Sequence, residues 1–333
     1  MTRRIVFVTG GAGFIGSNIV ARLAVDHGLD LVVCDSLGDA ETGKWRNLSK
    51  HPIGDLVPPG EMWSWLEKRW REVDLVVHMG AISSTLENDA DKVLATNFGL
   101  SRDLFRWCAD HQRRFLYASS AASYGDGSLG FEDVQDWESL AALRPLNPYG
   151  WSKALFDVFA VRQAARGYAP PQWAGLKFFN VYGPNEEHKG PMRSVASQIW
   201  PDVAAGRTVK LFRSYNQAYP HGGQQRDFVY VFDVAEVVAW LAEHGEVNGV
   251  FNFGSGRARS FQELAEAMFK AAGCEPRIEY IEMPKALRER YQYFTEARMD
   301  RLRQAGFGGE LTSMEDGIGN YVGRYLSQPD RYC

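Results

Sequence analysis

An apolar run, Ile5-Val6-Phe7-Val8-Thr9, breaks at once into three glycines spaced Gly10-x-x-Gly13-x-x-Gly16, then into an amphipathic stretch carrying Ile19, Val20, Leu23 and Ala24. Few features restrict a fold more tightly. A continuously apolar strand must be covered on both faces, which is the situation of a strand in a parallel sheet. Glycines at these positions permit a tight turn, close approach of backbone N–H groups to a pyrophosphate, and close packing of the next helix on the sheet. The helix N-terminus itself favours an anion. A second apolar strand, Leu31-Val32-Val33-Cys34, ends at Asp35, 19 residues beyond Gly16, where an acid can hydrogen-bond a ribose hydroxyl. A purely structural glycine turn would leave the position of Asp35 unexplained. The spacing therefore predicts a dinucleotide held by Gly10, Gly11, Gly13, Phe14, Ile15 and Gly16, with Asp35 and Ser36 at the ribose.

Two further strands, Asp74-Leu75-Val76-Val77-His78 and Arg114-Phe115-Leu116-Tyr117-Ala118-Ser119, flank a helical stretch over residues 91–110. Strand alternates with helix, which predicts an α/β fold with a Rossmann-type doubly wound parallel sheet, its ligands beyond the carboxyl ends of the strands. Met79, Gly80, Ala81, Ile82 and Ser83, and also Ser119 and Ser120, therefore fall where dinucleotide and substrate meet. Asn97, inside the intervening helix, is either a polar group near that cleft or a solvent-facing asparagine. The 333 residues exceed the roughly 250–300 that one core usually supports, so a smaller α/β substrate-binding domain is expected as well. The expected division assigns residues 1–178 plus 227–256 to the dinucleotide domain, and 179–226 plus 257–333 to the substrate domain.

In the second half, residues 174–179, 227–231 and 249–253 read as sheet strands, and 192–205 and 233–244 as helices. Ser260-Phe261-Gln262-Glu263 reads as a capping box for a helix ending near Gly273, and 215–225 as a surface loop.

Composition narrows the partners. A net charge of −4 leaves no basic footprint for nucleic acid. No stretch approaches the ~18 apolar residues that cross a bilayer, and Met1-Thr2-Arg3-Arg4 runs into a strand without the apolar core of a secretory signal. A cytoplasmic protein without a membrane partner is expected. Cys34, Cys108, Cys274 and Cys333 lack a C-x-x-C spacing, which fits reduced, mostly buried thiols and no metal site.

Tyr149 and Lys153, in Asn147-Pro148-Tyr149-Gly150-Trp151-Ser152-Lys153, stand four residues apart. In a helix they share a face, so a lysine ammonium there can lie near both the phenol and a cofactor ribose. A nearby cation favours phenolate and would help Tyr149 act as a base near neutral pH. Taken alone, such a pair is as readily explained by packing. At the ribose end Asp35 suits a free 2′-hydroxyl, whereas Lys44 and Arg46 could neutralise a 2′-phosphate; Lys44 could equally be a solvated loop lysine. NAD and NADP both remain open on these residues.

Thr9–Gly16, Tyr117-Ala118-Ser119-Ser120-Ala121-Ala122-Ser123-Tyr124-Gly125 and Tyr149-x-x-x-Lys153 together resemble the extended short-chain dehydrogenase/reductases. The resemblance implies a serine at Ser120 that hydrogen-bonds the reacting hydroxyl, an acid/base at Tyr149 and a ribose-binding lysine at Lys153. A hydroxyl that merely caps a strand end is the other reading of Ser120. Sugar-nucleotide dehydratases of this superfamily carry two carboxylates where this chain has Ala121-Ala122. Elimination of water needs an acid and a base there, so dehydration is disfavoured.

The segment Phe178-Phe179-Asn180-Val181-Tyr182-Gly183-Pro184-Asn185-Glu186-Glu187-His188-Lys189-Gly190 narrows the resemblance to the ADP-L-glycero-D-manno-heptose 6-epimerases. His78-Met79-Gly80-Ala81-Ile82-Ser83-Ser84-Thr85, Gln225-Arg226-Asp227-Phe228-Val229-Tyr230-Val231 and Arg290-Tyr291-Gln292-Tyr293-Phe294-Thr295 agree with it. That family implies a second base at Lys189, bound NADP touching Lys44, Asn97 and Val181, and a nucleotide-diphosphate sugar held by Ser84, Asn180, His188, Pro191, Gln198, Phe212, Arg213, Arg226 and Tyr291. It implies a homo-oligomer, a pentamer, in the supply of heptose for lipopolysaccharide core. Without the resemblance, Lys189 reads as a loop cation, Arg226 as half of a strand-edge ion pair and Tyr291 as a partly buried core residue. The chain departs from the family at Pro191, where serine is usual, and at Gln198, where histidine is common. Residues 55–59 also lack a second lysine that helps the family hold NADP.

The carbon to be inverted bears a secondary alcohol with no adjacent carbonyl, so loss of its proton would leave an unstabilised carbanion. Oxidation to a ketone and reduction from the other face avoids this. Because hydride comes from one fixed side, the ketone must turn over and its oxygen then meets a different protein group. Tyr149 and Lys189 are expected to serve the two epimers, with Ser120 orienting the oxygen. Two other readings are a different nucleotide-sugar epimerase or reductase of the same fold, and a non-catalytic dinucleotide-binding regulator. A hydrolase is disfavoured by the lack of a Gly-x-Ser-x-Gly elbow.

Overall fold

The structure, a computed structural model, describes residues 4–26, 28–85, 87–288 and 291–333. Its strands are β1 (Arg4–Thr9), β2 (Leu29–Cys34), β3 (Asp55–Val57), β4 (Val73–His78), β5 (Arg114–Ser120) and β6 (Trp173–Phe178). They continue with β7 (Asn180–Tyr182), β8 (Val209–Phe212), β9 (Gln225–Tyr230), β10 (Gly249–Phe253), β11 (Ala258–Ser260) and β12 (Ile278–Ile281). Seven of them form a parallel sheet in the order β10-β6-β5-β4-β1-β2-β3. From β1 the chain winds outward through β2 and β3, then returns to build β4, β5, β6 and β10 on the other side. The crevice at this reversal, between β1 and β4, is where a doubly wound sheet binds its ligand.

Burial explains the apolar strands. On one face Val6, Val8, Leu31, Val33, Leu75 and Val77 pack against Ile19, Val20 and Leu23 of the helix Phe14–Leu23 and against the helix Val231–Glu243. On the other face Ile5, Phe7, Val32, Val76 and Phe115 meet Leu104 and Phe105 of the helix Leu100–Asp110 and Phe156 of the helix Pro148–Ala165. Both sides are dry, so alternation of polar and apolar residues is absent from these strands.

The smaller layer holds a three-stranded sheet, β11-β9-β7, and the parallel pair β12-β8. Helices Val195–Ala204, Phe261–Ala271 and Met314–Tyr321 close around Ile199, Val203, Phe228, Tyr230, Leu264, Met268 and Ile318. Residues 227–231 were expected to return to the main sheet, but β9 pairs with β7 and β11, and only β10 rejoins it. The reason lies in Arg226 and Asp227, which interrupt the apolar run that a central parallel strand requires. Asp227 is fully buried and accepts N–H groups from Ser255, Gly256 and Ala297, tying β9 to the turn after β10.

The helix expected over residues 192–205 begins at Val195, because the Ser194 hydroxyl caps it at the Ser197 N–H. The Ser260–Glu263 capping box forms as read, and its helix ends at Ala271. Cys34 and Cys108 are buried, whereas Cys274 stands exposed and Cys333 half-exposed; all four are free. Among the described residues no helix is long and apolar enough to cross a membrane.

Gly10 holds the crevice open. Its φ is +67°, and a Cβ there would lie 2.5 Å from the Gly80 nitrogen. Gly10→Ala is expected to cost at least about 1–2 kcal/mol from the left-handed backbone alone, plus displacement of the Met79–Gly80 strand end. Thermal denaturation with and without dinucleotide checks this. The melting temperature should fall by a few degrees, and the stabilisation conferred by the dinucleotide should shrink with it.

Candidate active site

The helix Pro148–Ala165 starts where Asn147 accepts the Gly150 N–H at 2.8 Å, with Pro148 preset for the first turn. Gly150 lets this helix end press on the turn Ala121–Tyr124, since a Cβ there would stand 2.5 Å from the Ala122 carbonyl oxygen. The contact brings Tyr149 beside Ser120, the last residue of β5. Ser120 Oγ accepts the Ala122 N–H at 3.1 Å, so it caps the turn beside the phenol. Burial raises the Tyr149 pKa, and the nearby Ser120 hydroxyl opposes that rise.

Lys153 lies one helical turn further on. Its Nζ donates to the Ala118 carbonyl at 2.8 Å. Burial brings its ammonium down to about 8 against the opposing Asp157 carboxylate. The sequence reading had this cation favour the Tyr149 phenolate directly. In the structure the backbone carbonyl of β5 takes the ammonium, and the phenol responds to burial and to Ser120 instead.

Lys189 comes from a different element, the turn Glu187–Met192, which is bent at Gly190 with φ +55°. Its Nζ lies 5.0 Å from the Phe14 ring centroid. Burial lowers its pKa, opposed by Glu186. Glu186 is itself buried and fixed by the Ser194 hydroxyl at 2.6 Å and the Tyr321 hydroxyl at 3.1 Å. Ser120, Tyr149, Lys153 and Lys189 all line one cavity of about 370 Å³, together with Phe14, Ile15, Met79, Ala81, Ser83, Asn180 and Val181. No carboxylate lines it among the described residues, while Lys153, Lys189 and Arg193 do. Arg193, which no sequence motif singled out, is held by Glu187 at 3.2 Å.

The dinucleotide end is assembled around Asp35. Its Oδ2 accepts the Ala12 N–H of the glycine turn at 2.9 Å, and its Oδ1 accepts the Ser36 N–H at 2.7 Å. Lys44 Nζ reaches the same Oδ1 at 2.7 Å and the Ser36 carbonyl at 2.7 Å. The two residues that gave opposite readings of the cofactor are thus each other's partner. The helix Phe14–Leu23 has no side-chain cap, and a Cβ on Gly13 would meet protein within 4 Å only at the Gly10 carbonyl oxygen. Free N–H groups, open space and a pre-oriented carboxylate fit a dinucleotide.

Asn97 is buried in a widened π turn, Leu94–Gly99, and grips Ile82 through both backbone groups at 2.8 and 3.0 Å while donating to Ser152 at 3.1 Å. It ties the Gly80–Ser83 loop to the Tyr149 helix and does not face solvent. His78, another residue without a sequence signal for its role, is buried between Thr9 and Ser101 and kept neutral by burial, its pKa near 3.

His188 was expected at the substrate. Its Nδ1 lies 3.2 Å from Asn47 Nδ2, and Asn47 donates to the Ala12 carbonyl at 2.8 Å. Burial first, then Lys44 and Lys189, bring the imidazole down to about 4. The backbone turn at Glu187–Met192 sends Lys189 into the cavity and its neighbour toward the glycine turn, so His188 stands on the dinucleotide side and does not line the cavity.

A second cavity of about 180 Å³ holds Gln198, Phe212 and Tyr291, and meets the first at Val195 and Phe261, which line both. Arg226 is 8% exposed. Its guanidinium lies 5.2 Å from the Tyr291 ring and 5.6 Å from the Phe261 ring, and donates to the Gln225 carbonyl at 2.8 Å. Among the described residues it has no carboxylate partner, which removes the strand-edge ion pair as an explanation. Burial lowers its pKa. Gln198 bends back to the Pro191 and Arg193 carbonyls, at 3.3 and 2.7 Å. Arg213 is exposed, paired with Glu282 at 3.3 Å, and lines neither cavity. Asn180 is exposed at the first cavity and Ser84 is half-exposed beyond Ser83, while Arg290 lies outside the described residues. The loop after Arg213 is pinned by Arg288, 3.8 Å from the Tyr215 ring centroid, and by Tyr293, which accepts the Tyr215 N–H at 3.1 Å.

Known proteins resemble this chain along nearly its whole length. Residues 6–254 match the NAD dependent epimerase/dehydratase family. An ADP-L-glycero-D-manno-heptose-6-epimerase of Nitratidesulfovibrio vulgaris is 48% identical over 328 residues, 98% of this chain and 99% of that protein. One from Fusobacterium nucleatum is 41% identical over 335 residues, 98% of this chain and 99% of the relative. The crystal structure of the Helicobacter pylori ADP-L-glycero-D-manno-heptose-6-epimerase superposes with a TM-score of 0.79 at 27% identity, covering 97% of this chain and 96% of the other. The chain belongs to the NAD-dependent epimerase/dehydratase family, and its relatives at 41–48% identity are heptose epimerases within it.

Proposed function

We propose that this isomerase inverts carbon 6 of ADP-D-glycero-β-D-manno-heptose to the L-glycero epimer through a transient 6-keto sugar, with NADP as its resident dinucleotide. One observation carries the reading. Two separate proton-transfer groups, Tyr149 from a helix and Lys189 from a turn, line the same cavity, and that cavity contains no carboxylate among the described residues. Dehydration would need acids there, whereas a ketone that turns over between oxidation and reduction can use a proton-transfer group on each side.

The dinucleotide, when bound, supplies reversible hydride removal and return at carbon 6. Ser120 holds the sugar oxygen toward Tyr149, which takes or returns the hydroxyl proton for one epimer. Lys189 does the same for the other, and its burial raises the share of neutral amine available as a base. Lys153 grips the cofactor ribose beside them. Arg226, buried without a carboxylate partner, supplies the fork of donors that a diphosphate matches. Tyr291 and Phe212 border the adjoining cavity for the nucleotide. Asp35, Ser36 and Lys44 would hold the adenosine ribose, and Lys44, 2.7 Å from Asp35, stands where a 2′-phosphate would meet a cation, the ground for choosing NADP over NAD. The smaller layer around β8, β9, β11 and β12 acts as the substrate domain, and the product serves lipopolysaccharide core assembly.

Incubation of the dinucleotide-loaded protein with ADP-D-glycero-D-manno-heptose, followed by NMR of carbon 6, should show conversion toward a mixture of epimers. An unchanged configuration in folded, loaded protein rejects the reading. Tyr149→Phe and Lys189→Met should each lower turnover by about 10²–10⁴-fold, and normal epimerisation by Lys189→Met would reduce Lys189 to a binding residue. The dinucleotide extracted from purified protein should carry a 2′-phosphate; recovery of NAD alone rejects the NADP assignment.

A further inference from the structure

Directly under the reacting residues, Lys177 Nζ and Asp157 Oδ2 meet at 2.6 Å with both side chains 0% exposed. We infer that this buried pair is a positioning unit for the reaction, setting Ser120 and Lys153 from beneath. The inference rests on the proposed roles of Ser120, Tyr149 and Lys153.

The pair connects β5, β6, the helix Pro148–Ala165 and the turn Ala121–Tyr124. Asp157 stands one helical turn beyond Lys153 and two beyond Tyr149, on the same face of the helix Pro148–Ala165. Its Oδ2 accepts the Ser119 hydroxyl at 2.6 Å, and its Oδ1 the Tyr117 hydroxyl at 3.0 Å. Both donors lie on β5, and Ser119 immediately precedes Ser120. Lys177, on β6, donates to the Ser123 hydroxyl at 2.6 Å and sits 4.9 Å from the Tyr124 ring centroid. Ser123 and Tyr124 belong to the turn whose start is capped by Ser120, and Tyr124 is anchored in turn by donating to Asn252 on β10 at 2.7 Å.

Stability alone is a weak reason for such a pair, because a well-packed apolar pair of similar volume usually holds a fold as well or better. What apolar side chains lack is the ability to orient the Ser119 and Ser123 hydroxyls and to place a negative charge behind Lys153. The ionisable groups that act on Lys153 are Asp157 on its own helix and His78 on β4. Around Asp157 they are Lys153, Lys177 on β6, Tyr117 on β5 and Tyr124 on the following turn. His78 is neutral, so Asp157 supplies the negative charge that keeps Lys153 protonated against burial.

The test compares the wild type with Asp157→Asn/Lys177→Met, a neutral pair in which the asparagine oxygen still accepts from β5, and with Ser119→Ala. Each is measured as folded, dinucleotide-loaded protein over pH 6–10. Lys153 with its carboxylate loses its proton near pH 8. Without the carboxylate it loses it earlier, so the alkaline fall in kcat should move to lower pH by about half a unit or more. The kcat at the optimum should drop roughly tenfold with KM little changed. In Ser119→Ala, kcat should fall several-fold with the alkaline limb in place, and this variant decides the matter if the neutral pair does not fold. Wild-type kcat and pH profile in the neutral pair, or wild-type kcat in Ser119→Ala, overturns the inference. Tyr149→Phe run in parallel separates the two levels: full turnover there rejects the site assignment itself, whatever the buried pair does.

Discussion

The Gly10 turn and the Gly80 backbone approach one another more closely than any side chain on Gly10 would allow. The rest of the site hangs from that contact. It sets the crevice at the point where the sheet reverses, between β1 and β4, and aims an uncapped helix end into it. Asp35 is fixed against the same turn through the Ala12 N–H, and Asn47 against the Ala12 carbonyl. Loosening this contact would disturb Asp35, the uncapped helix end and the Asn47–His188 contact together, although they lie far apart in sequence.

The second requirement is electrostatic. Three cationic residues and no carboxylate line the main cavity among the described residues, and a buried guanidinium without a carboxylate partner stands beside the adjoining one. The carboxylates that offset the cavity's cations, Glu186, Glu187 and Asp157, stand behind the lining, and Arg226 has none among the described residues, so this arrangement suits a ligand that brings its own negative charge. Burial also depresses the Lys153 and Lys189 ammonium groups, opposed by Asp157 at the first and by Glu186 at the second. Under the proposed function, a diphosphate-linked sugar and a two-base inversion would use these features together.

Much of this was legible because its signals are local. The glycine turn, the Tyr149–Lys153 spacing and the Glu187-His188-Lys189-Gly190 segment each occupy a few consecutive residues whose types restrict backbone or chemistry. The parts that escaped are contacts across long separations. Asp35 and Lys44 read as rivals until their ion pair was seen. The resemblance grouped His188 with the substrate; in the structure its imidazole lies 3.2 Å from Asn47 while the adjacent Lys189 lines the cavity, a divergence no local pattern announces. Residues 227–231 read as a strand returning to the main sheet, and nothing local showed that β9 would instead join β7 and β11. Asp157 and Lys177 carried no motif, and only the packing of the Tyr149 helix on β5 and β6 brings them together.

The most direct test of inversion by oxidation and re-reduction follows the hydrogen on carbon 6. Substrate carrying deuterium at that carbon is epimerised in ordinary water, and its counterpart in heavy water, with both products read by NMR and mass spectrometry. Hydride removal and return within one site requires the original label to stay on carbon 6 and no solvent hydrogen to enter there. Solvent-derived hydrogen at carbon 6 of the inverted product would contradict it.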